Sequence, residues 1–219
     1  MPPGGERLHR YDARIRKLRS SGSREFCLIG VDEAGRGPLA GPVVACAAVL
    51  PRTFRDRRID DSKKLTPRRR NVLYDHLRPR VRWAFGLGTV DLIDERNILQ
   101  ATHHAMKLAV ANLLRRYPGL SPDLILVDGR PVPDLGFPQK AVPGADGKSA
   151  SVAAASILAK VFRDRIMTAL ERSYPQYGLA RHKGYPTREH KRRLARFGPA
   201  KIHRKSFSPV SALLQRVRA

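Results

Sequence analysis

Acidic residues and long hydrophobic runs are both scarce in this chain of 219 residues. Its 19 Asp and Glu face 43 Lys and Arg, so the formal net charge is +24. Such an excess of positive charge attracts polyanions, nucleic acid first and an anionic membrane surface second. No basic amphipathic helix of the membrane-surface kind stands out. Nucleic acid is therefore the favoured partner, and a basic, solvated surface with no specific partner is the plain alternative.

Signals for membranes, secretion and zinc are also missing. The longest apolar run, residues 43–50, is too short to cross a bilayer. The start of the chain is polar and has no apolar core, so we do not expect a secretory signal there. Cys27 and Cys46, the two cysteines, have no His or Cys at metal-ligand spacing. We therefore expect a cytoplasmic protein with free thiols and no membrane association, and nothing in the sequence indicates anything but a monomer.

The pattern of apolar residues predicts an α/β fold, because strand-like and helix-like segments alternate. The apolar fraction of 42% is typical of a folded protein. We predict a polar N-terminal extension over 1–24, with a short helix near 12–18. Residues 25–219 should form one domain that ends in a basic helical segment from about 174. Predicted strands cover 26–31, 43–50, 81–90 and 123–127, and predicted helices cover 66–77, 91–117 and 151–173, with a loop from 129 to 147.

Two adjacent carboxylates, Asp32 and Glu33, stand at the end of the first apolar run. Neighbouring side chains of a strand point to opposite faces, so both acids cannot stay in water by a simple pattern. A buried carboxylate needs a cation or a proton to be tolerated. The pair therefore indicates a metal site.

Two more acids stand where they can join that pair. Asp128 ends the buried strand at 123–127, and Asp146 lies in a Gly-flanked loop before the helix near 151. If the two strands are neighbours, carboxylates converge at their ends, and oxygen ligands of this kind suit Mg²⁺ or Mn²⁺. Two such ions about 3.5–4 Å apart hold both the attacking and the leaving oxygen of a phosphodiester. The alternative is turn chemistry, since each acid precedes a glycine.

The order of motifs resembles bacterial ribonuclease HII. The matching segments run from about residue 26 to 210, and together they are highly specific. They are Val31-Asp32-Glu33-Ala34-Gly35-Arg36-Gly37, Asp61-Ser62-Lys63-Lys64-Leu65, Ile93-Asp94-Glu95-Arg96-Asn97-Ile98, Val127-Asp128-Gly129, 153–164, 177–185 and His203-Arg204-Lys205-Ser206-Phe207.

This resemblance implies an RNase H-like fold: a mixed central β-sheet flanked by helices, with a small helical C-terminal extension. It implies an endonuclease that cuts the RNA strand of RNA–DNA hybrids, including single ribonucleotides in duplex DNA. The products would carry 5′-phosphate and 3′-hydroxyl ends, and the enzyme would act in ribonucleotide excision repair and DNA replication. The partners would be the RNA–DNA hybrid and the ribonucleotide-containing duplex, and the cofactor Mn²⁺ or Mg²⁺.

The family's four acids fall on Asp32, Glu33, Asp128 and Asp146, and the first three would chiefly bind the metal. One departure is the segment before the last acid, where the family usually has Lys-Gly-Asp and this chain has Gly144-Ala145-Asp146. Asp164 is a rival for the last position, although ion pairing with a neighbouring arginine explains it better.

Substrate contacts also follow from the resemblance. The turn Gly35-Arg36-Gly37 and Tyr185 would recognise the junction between ribonucleotide and deoxyribonucleotide, with Tyr185 packed on the deoxyribose. Glycines allow close backbone approach, and an arginine can hold a phosphate. Lys63 and Lys183 are candidate phosphate contacts, as are Lys64 and the cluster 191–193. The alternatives are a plain loop, an ordinary tyrosine and solvated lysines.

Two rival functions remain at this point. A non-catalytic nucleic-acid-binding protein would cut nothing and would bind equally well with or without metal. Another two-metal nuclease or strand-transfer enzyme of the same fold would cleave all-DNA duplexes as well.

Overall fold

The computed structural model describes residues 4–19 and 25–218, and a five-stranded mixed sheet lies at its centre. The strands are β1 (Leu28–Ala34), β2 (Val43–Val49), β3 (Arg82–Gly88), β4 (Leu124–Asp128) and β5 (Gln139–Val142). Their order across the sheet is β3-β2-β1-β4-β5. Strand β2 runs antiparallel to both β1 and β3, whereas β4 runs parallel to β1 and β5 parallel to β4. The predicted α/β architecture with a mixed sheet is confirmed.

Helices cover both faces of the sheet. They are α1 (Gly4–Arg19), α2 (Pro67–Leu77), α3 (Val90–Arg116), α4 (Ala150–Leu170), α5 (Leu179–His182), α6 (Arg188–Phe197) and α7 (Val210–Arg218), with 3₁₀ turns at Ala145–Gly147 and Pro175–Tyr177. Among the described helices none is both long and apolar enough to span a membrane.

Alternation along β1 decides which helix each side chain meets. Ile29 and Val31 are buried in the cluster that contains the α3 side chains. Gly30 faces α4, and a Cβ there would lie 2.4 Å from the backbone nitrogen of Val152. Helix α4 therefore packs directly on the strand backbone, as its run of small residues predicts.

Helices α2 and α3 match the sequence prediction closely. Thr66 caps α2 by accepting a hydrogen bond from the Arg69 amide, and Pro67 occupies the first turn. Helix α3 is interrupted at Asn97, whose φ is 68° and whose side chain accepts hydrogen bonds from the next turn. Its ψ of 166° places Asn97 in a backbone region that residues other than glycine seldom occupy, so the interruption of the helix carries local strain.

The N-terminal helix is longer and better anchored than the expected short helix near 12–18. It has sixteen residues, and Leu8 on it is fully buried. Asp12 accepts hydrogen bonds from the side chains of Ser149 and Ser151 and from the Ser151 amide at the start of α4. Predicted features that fall on residues 1–3 and 20–24 lie outside the described part of the chain.

The loop predicted over 129–147 is the main error of the secondary-structure prediction. It contains β5, a short, half-exposed edge strand paired with β4. The strand was not predicted because the sequence around it is rich in proline, which argues against a strand. From about 174, where a helical segment was predicted, the structure has a 3₁₀ turn followed by α5, α6 and α7.

Candidate active site

Parallel pairing of β1 with β4 brings Asp32 beside Asp128. The register pairs Val31 with Val127, one residue before each acid. Leu28 and Gly30 on β1 and Leu124 and Leu126 on β4 face the α4 side of the sheet. Because side chains alternate along a strand, both aspartates lie on that same face.

Asp146 joins them from the 3₁₀ turn that precedes α4. The Asp128 carboxylate accepts a hydrogen bond of 2.7 Å from the Ala145 amide, so one acid positions the turn that carries another. One carboxylate oxygen from each of Asp32, Asp128 and Asp146 lies within 4.8 Å of the other two. Three carboxylates this close form a donor set that fits Mg²⁺ or Mn²⁺, which prefer oxygen ligands.

Glu33, the next residue of β1, lies outside this group of three, although its charge acts on Asp32. Its Oε1 is 3.3 Å from the guanidinium of Arg36. The structure thus pairs Asp146, rather than Glu33, with the two strand aspartates. The metal-binding role assigned to Glu33 by resemblance stays a prediction.

Burial and mutual repulsion change the protonation of these acids. The pKa of Asp32 is well above its usual value because the carboxyl is buried and faces the charges of Glu33 and Asp128. Burial likewise raises the pKa of Asp128, with the charge of Asp146 as a further cause, although the Ala145 hydrogen bond opposes it. Burial also raises the pKa of Glu33 despite Arg36. A bound cation would relieve each of these costs.

One lysine already contacts the acid group. Lys63 Nζ lies 2.9 Å from the Asp146 carboxylate. Burial lowers the pKa of Lys63, but the hydrogen bond and charge of Asp146 outweigh it and raise the pKa. Lys63, expected as a phosphate contact, therefore touches a site acid in this structure.

The acids open into a cleft of about 250 Å³. Most of the predicted site residues line it, and so do residues to which the sequence assigned no role. The lining includes Asp32, Glu33, Gly35, Arg36, Gly37, Lys63, Asp128 and Tyr185, together with Ser62, Arg70, Ser156 and Lys160. Ser62 and Ser156 share a hydrogen bond of 2.9 Å, and Ser156 also bonds Asp32. The predicted catalytic residues other than Asp146 and the predicted substrate-binding residues other than Lys183 thus line one cleft.

Two fully buried arginines hold the Gly35-Arg36-Gly37 turn. Arg204 donates to the carbonyls of Gly35 at 2.6 Å, Arg36 at 2.8 Å and Gly41. Arg163 packs directly under Gly35, where an added Cβ would lie 1.9 Å from its Nε. Burial and the charge of Arg163 lower the pKa of Arg204 to about 9. The sequence assigned neither arginine a role in holding this turn, since arginine is seldom fully buried.

Tyr185 and Lys183 lie on the loop after α5, but only Tyr185 reaches the cleft. Tyr185 is 37% exposed, and the ammonium of Lys160 lies 5.3 Å from its ring centroid. Lys183 instead donates to Thr168 at 2.9 Å and to the Ala180 carbonyl, beside a neighbouring depression. In this structure its amine is therefore not a lining group of the acidic cleft.

Asp164, the rival for the last acid position, is explained by an ion pair. Its partner is Lys160, at 2.7 Å, rather than an adjacent arginine as expected. The spacing of four residues on α4 accounts for this pairing.

Comparison with known proteins decides the family. The family model for ribonuclease HII matches residues 29–210. The chain belongs to the ribonuclease HII family. Members are endoribonucleases, so this chain is a hydrolase, and the rival of a non-catalytic binding protein is set aside.

Individual relatives agree over most of the chain. Ribonuclease HII of Zymomonas mobilis is 48% identical over 193 residues, which are 88% of this chain and 89% of the relative. The crystal structure of ribonuclease H2 from Pyrococcus horikoshii OT3 matches with a TM-score of 0.73 at 30% identity, and covers 88% of this chain and 99% of its own. The predicted RNase H-like fold is confirmed.

A more distant structure shares the fold alone. Bst-RNase HIII, solved in complex with Mn²⁺, has a TM-score of 0.67 at 18% identity, over 88% of this chain and 70% of its own. The manganese is a property of that protein.

Proposed function

We propose that this protein cleaves the RNA strand of RNA–DNA hybrids, including single ribonucleotides embedded in duplex DNA, with two divalent cations, Mg²⁺ or Mn²⁺. The observation that supports it best is the cleft in which Asp32 and Asp128, whose carboxylates group with that of Asp146, meet the Gly35-Arg36-Gly37 turn and Tyr185. A hydrolytic centre and a sugar-reading surface share one depression on a strongly basic protein.

Metal binding falls to Asp32, Asp128 and Asp146, with Glu33 as a further ligand by family resemblance. Bound divalent cations would polarise the scissile phosphate and assist both the attacking water and the leaving oxygen. Asp32 is fixed for this role by Ser156, and Asp128 by the Ala145 amide. Asp146 sits on a short turn, and exchanging Lys63 for a cation needs only a side-chain movement.

Substrate recognition is assigned to Gly35-Arg36-Gly37 and Tyr185, which line the same cleft. RNA is distinguished from DNA by its 2′-hydroxyl, which requires close contact. Gly37 leaves open space where a side chain would stand, so the backbone there is accessible. Arg36 is half-exposed and can turn from Glu33 to a phosphate. The exposed face of Tyr185 offers an apolar surface to the sugar of the next nucleotide.

The test uses three duplexes of one sequence: one with a single ribonucleotide, one with a tract of several ribonucleotides, and one of DNA alone. Purified protein is assayed with Mg²⁺ and with Mn²⁺, and the cut position is mapped. We expect cleavage of the first two, with 5′-phosphate and 3′-hydroxyl ends, and none of the third.

Asp32→Asn serves as the catalytic control, since it keeps the size of the side chain and removes its charge. Cleavage of the all-DNA duplex at a similar rate would favour the rival of a general two-metal nuclease. Cleavage by Asp32→Asn at a rate near that of the wild type would contradict the proposed mechanism.

We also propose that the protein acts as a cytoplasmic monomer, with residues 25–219 as the catalytic domain. Helix α1 of the extension is clamped to α4 through Asp12, so extension and domain pack together. Sedimentation of the purified protein, which reports its molecular mass in solution, tests whether it is a monomer.

A further inference from the structure

Three buried histidines lie beneath the loop that carries Tyr185. His190 and His203 are fully buried and His182 is 8% exposed. The His190 and His203 rings are joined by a hydrogen bond of 3.1 Å between their Nε2 atoms. The His182 ring stacks on His190 at 4.3 Å. Every ring nitrogen of the three has a hydrogen-bond partner within the protein.

Backbone donors fix the tautomers of this network. The Ala200 amide donates to His203 Nδ1 at 3.0 Å, so the ring proton of neutral His203 is on Nε2 and is donated to His190. His190 Nε2 is then an acceptor, and its own proton, on Nδ1, is donated to the Tyr185 carbonyl at 3.0 Å. An extra proton on either ring would break one of these bonds, and burial lowers the pKa of both to about 4.

The other end of the network reaches the glycine turn. His203 pairs with Ala40 as an isolated β-bridge, and the next residue, Arg204, donates to the Gly35 and Arg36 carbonyls. Leu39 donates its amide to the carbonyl of Gly184, beside Tyr185. The turn and the tyrosine loop, about 150 residues apart in sequence, are thus joined by an unbroken chain of short contacts.

We propose that His190 and His203 are positioning residues for substrate selection, which set Tyr185 at a fixed place relative to the Gly35-Arg36-Gly37 turn. The proposal rests on the function proposed above. Neither imidazole lines the cleft, so both act through the groups they hold. Their task is geometric: a ribo–deoxyribo junction is recognised only when the surfaces that contact its two sugars are correctly spaced.

The structure suggests asparagine variants that each remove one link. In His203→Asn the amide oxygen can replace Nδ1 as acceptor for Ala200, but the bond to His190 is lost. In His190→Asn the amide nitrogen can replace Nδ1 as donor to Tyr185, but the contact with His203 is lost. His9→Asn is the matched control, because His9 is also buried and bonded to backbone, at Asp56 beside α1.

The readout is a selectivity ratio, the kcat/KM for the single-ribonucleotide duplex divided by that for a long RNA tract. We expect both network variants to lower this ratio about fivefold or more, the effect of one lost hydrogen bond, and His9→Asn to leave it unchanged. Combined with Tyr185→Ala, His190→Asn should lower the ratio no further. Folded variants that lose activity equally on both substrates, or keep the wild-type ratio, would overturn the proposal.

A second measurement covers variants that fail to fold. Nitrogen-15 NMR of the wild-type imidazoles near pH 7 reports the tautomers directly. Protons on His203 Nε2 and His190 Nδ1 support the network, and the opposite tautomer at either ring overturns it. If the wild type does not cut the single-ribonucleotide duplex at all, the proposed function itself fails, and this result differs visibly from an unchanged ratio.

Discussion

Lys63 Nζ and the Asp146 carboxylate form a 2.9 Å ion pair at the edge of the acid group. The Asp146 side chain is 3% exposed, whereas that of Lys63 is 74% exposed. The lysine thus brings a positive charge to the place where a cation is expected. We predict that Lys63→Met lowers the Mg²⁺ concentration needed for half-maximal activity a few-fold, because a competing charge is lost.

The same variant should be less stable without metal, by about 1–3 kcal/mol, since a buried carboxylate loses its partner. Lys64→Met is the control, because the Lys64 amine forms only a long ion pair of 3.9 Å with Asp60 and does not line the cleft. An unchanged Mg²⁺ requirement in Lys63→Met would show that the pair does not compete with the cation.

Asp32→Asn should abolish cleavage and yet stabilise the metal-free protein. Burial and the charges of Glu33 and Asp128 raise the pKa of Asp32, so the ionised form is disfavoured in the folded state. As pH rises above about 4, the unfolded chain releases this proton first, and the wild type loses stability with increasing pH. The variant should therefore be more stable than the wild type above that pH. The gain in unfolding free energy should be about 1.4 kcal/mol for each unit by which folding raises the pKa of Asp32.

Urea unfolding in EDTA at several pH values measures that difference. Asp134→Asn is the control, because the Asp134 side chain is 92% exposed. If Asp32→Asn proves less stable than the wild type at neutral pH, hydrogen bonds to the carboxylate outweigh its repulsion.

Gly35→Ala and Gly37→Ala should distinguish a role in stability from a role in substrate contact. At Gly35 φ is 99° and a Cβ would meet buried Arg163, so we expect a loss of about 1–3 kcal/mol or more. At Gly37 a Cβ meets nothing within 4 Å, so the melting temperature should stay close to wild type. A lowered kcat/KM in folded Gly37→Ala would then report contact with the substrate, and an unchanged value would argue against it.

The histidine network predicts a second dependence of stability on pH, of opposite sign. Burial lowers the pKa of His190 and His203 from the ordinary value near 6.5 to about 4. Between these values the unfolded chain binds more protons, so acidification destabilises the folded state, by about 3 kcal/mol at most per histidine. The difference in unfolding free energy between wild type and His190→Asn, followed from pH 7 to pH 4, isolates this contribution. A difference that does not vary with pH would contradict it.

Local signals in the sequence predicted the frame of the site well. Thr66 and Pro67 mark the start of α2, and the apolar run before Asp128 marks a buried central strand. The acids at strand ends predicted that Asp32 and Asp128 approach each other, whereas the structure adds Asp146 from a turn, and not Glu33, to their group. These predictions hold because strand alternation and helix capping depend on neighbouring residues.

The supporting groups could not be predicted in the same way. Arg163, Arg204 and His203 are polar residues in a basic sequence, and their burial depends on carbonyls and rings far away in the chain. The approach of Asp128 to Asp32 also needs the pairing of β1 with β4, which sequence leaves open. Contacts that depend on long-range strand pairing could therefore not be predicted from the sequence.

The parallel pairing of β1 and β4 also governs when, during folding, the site can exist. The two strands are linked through β2, β3 and the whole of α3, so their contact closes a large loop and adds to the time needed for folding. Asp146 and α4 follow later still in the chain. An incomplete nascent chain thus carries Asp32 and Glu33 without their partners, and nuclease activity arises only after most of the polypeptide has been made.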